Sequence, residues 1–193
     1  MRLPKATGGD FEKCPAGNHL AVCYCVVDLG TQETNYGVKH QIWIGWETAS
    51  ELMTDGRPFT VGKTYTLSSH EKSNLRNDLE SWRGRPFSED DFGEFEIGNV
   101  IGVGCFLNVV HTERENGTYA NIASIAALPK GTTTPALVNK AVKLDLDPDT
   151  YDVRMFAALS EYTQQRVAKS PEYREVTQSS VDISGTSDDE IPF

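Results

Sequence analysis

Three carboxylates, Asp188, Asp189 and Glu190, run directly into the apolar tripeptide Ile191, Pro192, Phe193. That order of residue types suits a docking peptide. The Phe ring can fill a partner's pocket, the terminal carboxylate can meet an arginine or lysine, and the acids can steer approach. Upstream, residues 178–187 are rich in Ser, Gly and Thr and too polar to bury much surface, so residues 176–193 read as a flexible linker and disordered acidic tip. An acidic end that only solubilises needs no Ile-Pro-Phe. A second chemistry lies in the body, where rings and cations share the polar sides of strands. Stacked rings and phosphate-tracking cations are what an unpaired nucleic-acid strand requires.

The hexapeptide resembles the Asp-Asp-Asp-Ile-Pro-Phe tip of bacterial single-stranded DNA-binding proteins, with Glu190 in place of one Asp. That resemblance implies that Asp188, Asp189, Glu190, Ile191, Pro192 and Phe193 recruit replication and repair enzymes. In the body, three stretches are similar to a group of bacteriophage proteins of comparable length. They are Ser68-Ser69-His70-Glu71-Lys72, the Gly-Arg-Pro-Phe segment before Phe92, and residues 119–125 leading to Pro129, Lys130 and Gly131. The similarity spans most of residues 3–175. It implies single-stranded DNA binding during phage replication or recombination, with host or phage replication and recombination proteins as partners.

Composition sets the bounds. The 193 residues suit one domain with appendages, and 38% hydrophobic with 24% charged residues is ordinary for a globular chain. No apolar run approaches the length of a membrane span, and the N-terminus lacks a signal-peptide core, so no membrane partner and a cytoplasmic location are expected. Four cysteines without metal-ligand spacing read as reduced, structural thiols; Cys23 and Cys25, two apart on a strand, should point the same way. The net charge of −10 opposes a nucleic-acid partner, but its distribution is uneven. Residues 1–140 carry 13 basic and 17 acidic groups, whereas residues 182–193 carry four acids and no base. DNA binding therefore needs a local basic groove.

The elements that must position these groups follow in order. Residues 19–29 form an apolar first strand, and Gly30 to Gly37 a turn. Residues 38–47 form a second strand with Ile42, Ile44 and Trp46 on one face and Lys39, Gln41, Trp43 and Glu47 on the other. A third strand covers residues 63–68. Ser68 and Glu71 have capping-box spacing for a helix with an apolar stripe of Leu75, Leu79 and Trp82, stopped by Gly84. Residues 97–111 and 119–128 are the last two strands, joined by an Asn-Gly hairpin turn. Strand, strand, strand, helix, strand, strand is the order of an OB-fold. The expected class is therefore mainly β (α+β): a five-stranded OB-fold barrel over residues 1–147, with the helix between strands three and four. Residues 148–175 form a C-terminal helical segment, a helix over about 152–169 ended by Ser170-Pro171, which packs on the barrel or serves self-association into a homo-oligomer.

On OB-fold logic the binding surface lies on strands two and three and on the loops joining strands one to two and four to five. The nucleic-acid-binding candidates are Tyr36, Lys39, His40, Trp43, Lys63, Lys72, Arg76, Phe106, Arg114 and Tyr119, with Trp43 foremost. Tyr119 and Phe106 also fit a sheet-covering role, and Lys72 and Arg76 a solvated helix face. No phosphate loop, dinucleotide fingerprint or His-Glu-x-x-His motif is present, and the four histidines are scattered, so neither catalysis nor a cofactor is expected. The sequence thus points to a single-stranded DNA-binding protein. The alternative is an adaptor of the same fold that holds no DNA and captures host replication or repair proteins through its tip.

Overall fold

The first strand is apolar on both faces because both faces are covered. In the computed structural model, which describes residues 12–115 and 117–184, β1 (Gly17–Thr34) runs through the middle of a six-stranded sheet. It pairs antiparallel with β2 (Gly37–Leu52) and β4 (Gly104–Arg114), and parallel with the short β6 (Val142–Leu144). β3 (Pro58–Thr66) extends the sheet beyond β2, and β5 (Gly117–Ala126) extends it beyond β4, giving the order β3-β2-β1-β4-β5. The two outer strands approach each other without a hydrogen-bonded ladder, and α1 (Asn74–Arg83) packs against both. The fold is mainly β as expected, but the sheet is open where a barrel would close.

A bulge decides which residues face which core. Between Cys23 and Cys25 the β1–β2 register slips by one, and a slip of one exchanges the two faces of a strand. Cys23 therefore joins a core with Ile42, Ile44, Trp46 and the helix residues Leu75, Leu79 and Trp82. Cys25 joins a second core with Val27, Leu29, Val142, Leu144, Val167 and Val176. The two thiols do not point the same way, because strict alternation ignores the bulge. All four cysteines are free and buried, and burial pushes the thiols of Cys23 and Cys25 up to about 12.

The first core is closed by α1, which is followed by the short helix α2 (Glu89–Gly93). The α1 stripe seats Trp82 against Trp46 with ring centroids 5.5 Å apart, and the Trp82 indole N–H donates to the Gly104 carbonyl at 2.9 Å. The helix ends at Gly84 in the left-handed region (φ 73°), but its start is later than the Ser68–Glu71 spacing predicts. Ser73 is the cap, accepting from the Arg76 N–H, and Ser68 stays in the loop before it.

The second core is the outer face of β1, covered by α3 (Val153–Ala157), α4 (Glu161–Val167) and α5 (Pro171–Ser184). The single predicted helix is broken at Ser160, which caps α4. Ser170-Pro171 does not end the helical segment; it starts α5. Ser170 Oγ accepts from the Tyr173 N–H, and proline at a first helical position forfeits no bond. The helix α5 extends to Ser184, through residues the composition places in the linker, whereas the tip residues Asp188, Asp189, Glu190, Ile191, Pro192 and Phe193 lie outside the described residues. Glu172 pins α5 to β1 by accepting from the Thr31 N–H at 2.8 Å and from the Thr31 hydroxyl. Burial raises its carboxyl pKa, but the bonds from Thr31 and the nearby His40 outweigh this and hold it below the ordinary carboxylate range. None of the described helices is long and apolar enough to cross a membrane.

Close docking of α5 requires a glycine. Gly30 sits in the left-handed region (φ 64°) at a second bulge, and a Cβ there would lie 2.5 Å from Ser170 Cβ. Gly30→Val should lower stability by about 3 kcal/mol, from the left-handed penalty plus overpacking. Urea unfolding reads this directly, and a loss under about 1 kcal/mol would show that α5 is not held against β1 as described.

Candidate nucleic-acid interface

The outer face of β2 and β3 is set by register. Gln41, Trp43 and Gly45 stand opposite Thr66, Thr64 and Gly62, so alternation places all six on the same side, away from Ile42, Ile44 and Trp46. The Trp43 indole lies over two of them, Gly45 and Gly62. A Cβ at position 62 would stand 2.2 Å from its ring and one at position 45 would stand 2.5 Å from it, so this seat exists only because both are glycines. The ring is partly buried, with its inner part against the second core. It is neither sealed in the interior nor fully open.

Beside this face, along the free edge of β3, runs a groove of about 480 Å³ lined by Gln41, Lys63, Thr64, Thr66, Ser68, His70, Lys72 and Asn74, among others. Lys63 is neutralised there. Its ammonium lies 2.6 Å from Asp78 and over the Tyr65 ring, and Tyr65 Oη donates to the same carboxylate at 2.8 Å. Burial and then the charge of Asp78 push the Tyr65 phenol far up, so it remains a donor. Lys72 is exposed and forms no ion pair among the described residues, leaving its charge to the groove.

The remaining candidates separate into three groups. Tyr36, 90% exposed, and Lys39 stand on the β1–β2 hairpin. Arg114 and Tyr119 face each other on the β4–β5 hairpin, guanidinium to ring 5.7 Å, and line neither that groove nor the cleft described below. His40, Phe106 and Arg76 are engaged internally. His40 lies 2.7 Å from Asp28 and 3.7 Å from Glu172. Phe106 is partly buried across from Leu20 and Ala126. Arg76 corrects the sequence reading most clearly. Its guanidinium is buried and donates to Glu80, Glu89 and the Phe87 carbonyl at 2.8–3.1 Å, tying the helix to the following loop and leaving no face for a phosphate.

Sequence reasoning missed a second cleft. It opens between the β1–β2 hairpin and the helices α4 and α5, measures about 780 Å³, and is lined by Thr31, Gln32, Glu33, Val38, Gln41, Tyr162, Arg166, Lys169, Pro171 and Arg174. Arg166 and Lys169 are three residues apart and could have been read as one helical face. Arg174 could not, because it follows the break at Ser170-Pro171 that turns the chain into α5.

No family model matches the chain, and no curated protein matches it.

Proposed function

We propose that the chain is a sequence-independent single-stranded DNA-binding protein of phage replication or recombination, with an OB-fold-like body and a tip that recruits partner enzymes. The observation that carries this reading is the β2–β3 face, where a partly open indole on a glycine bed adjoins a groove holding the unpaired cation Lys72. The strand order, with β3 and β5 curled toward each other around α1, fits a partly open five-stranded barrel whose second and third strands face the ligand. The overall acidity is less adverse than it looks. Asp78 pairs with the Lys63 ammonium, so this acid beside the groove is locally compensated. The segment Asp188, Asp189, Glu190, Ile191, Pro192 and Phe193 would meet an apolar pocket with a basic rim on a partner protein.

The test uses intrinsic fluorescence. Trp46 and Trp82 are buried, so a base stacking on the protein quenches Trp43 alone. Titrating the full chain with oligo-dT at low salt should quench part of the emission, and Trp43→Phe should abolish that change while retaining the buried signal. Absence of quenching together with unchanged anisotropy of a labelled oligo-dT would contradict DNA binding and leave the adaptor reading in place.

A further inference from the structure

We propose that the cleft between the β1–β2 hairpin and helices α4 and α5 is a second segment of the binding path and holds the sugar–phosphate backbone of the same single strand. This rests on the DNA-binding reading above and extends the site onto the C-terminal helices. Three cations, Arg166, Lys169 and Arg174, line the cleft against one carboxylate, Glu33. Lys169 and Arg174 are exposed and form no ion pair among the described residues.

Arg166 joins this cleft to the groove along β3. Its guanidinium donates to Thr64 Oγ1 at 3.2 Å and to Gln41 Oε1 at 3.3 Å. Both of those residues line the first groove and Gln41 lines the cleft as well, so the two depressions meet at Gln41. Because both acceptors are neutral, the arginine is positioned without being neutralised, which is what a phosphate-binding cation needs. Tyr162 supplies a ring beside it. That side chain is 70% exposed and lies 5.9 Å from the Arg166 guanidinium, so a base stacked on the ring would place its phosphate within reach of the cation. Glu172, adjacent to Pro171 at this wall, bonds to Thr31 on β1.

The double variant Lys169→Glu, Arg174→Glu in the full chain tests this, with Lys72→Glu as the parallel probe of the first groove and oligo-dT as ligand. Both variants should weaken binding by about tenfold or more at low salt. The neutral pair Lys169→Gln, Arg174→Gln should make the logarithmic salt slope shallower by about 1.4, two single-strand phosphate contacts. Thermal melts confirm folding, and the Gln pair serves if the reversed pair does not fold. If Lys72→Glu weakens binding but neither cleft pair does, the second segment is wrong and the DNA-binding reading stands. If the unaltered chain binds no oligo-dT, both fall.

Discussion

Replacing Glu47 by leucine should lower the stability of the chain by about 3–5 kcal/mol. Glu47 is 1% exposed on β2 and accepts three bonds from the crossing segment: the Val138 N–H at 2.5 Å, the Asn139 N–H at 2.9 Å and Asn139 Nδ2 at 2.6 Å. That segment leads into β6 and the helices beyond, so the carboxylate holds the second core's covering to the sheet. Leucine matches the volume but orphans two backbone donors whose other partners would have to be water, and each orphan costs about 1–3 kcal/mol. Glu47→Gln should fall between, since its amide retains one acceptor. Urea unfolding gives the result, and a loss below about 1 kcal/mol for the leucine variant would mean that the segment is held elsewhere.

The largest functional effect should come from Lys39→Glu combined with Lys72→Glu. Both lysines are exposed and unpaired among the described residues, one on the β1–β2 hairpin and one in the β3 groove. Each reversal removes a cation and sets a carboxylate beside a phosphate, so the affinity for oligo-dT at low salt should fall on the order of a hundredfold. Stability should barely change, because neither side chain supports the fold. Altering Arg76 would behave differently: its guanidinium ties α1 to Phe87 and Glu89, so loss of binding there would follow loss of structure. Anisotropy titrations across a salt series separate the two, and an undiminished affinity for the double reversal would remove both lysines from the path.

Much of the scaffold was legible because it rests on periodicity. The alternation of Ile42, Ile44 and Trp46 and the stripe of Leu75, Leu79 and Trp82 correctly named the faces that meet in the first core. What the sequence concealed were events that break periodicity. The bulge at Tyr24 sends Cys23 and Cys25 into different cores, and nothing local to residues 23–25 announces it. Ser170-Pro171 is ambiguous by chemistry, since serine then proline can follow one helix or open the next. The site was partly legible for a related reason. Trp43 stood out as a ring on a polar face, but its bed depends on Gly62 arriving from another strand, and the Arg166 cleft depends on tertiary docking of α4 and α5.

Ultraviolet cross-linking of the full chain to oligo-dT, followed by peptide mapping, tests the central claim most directly. The account predicts cross-links in peptides bearing Trp43, Tyr36 and Tyr162, all suppressed by high salt. Cross-links confined to the β4–β5 hairpin, or no cross-linking at low salt, would contradict it.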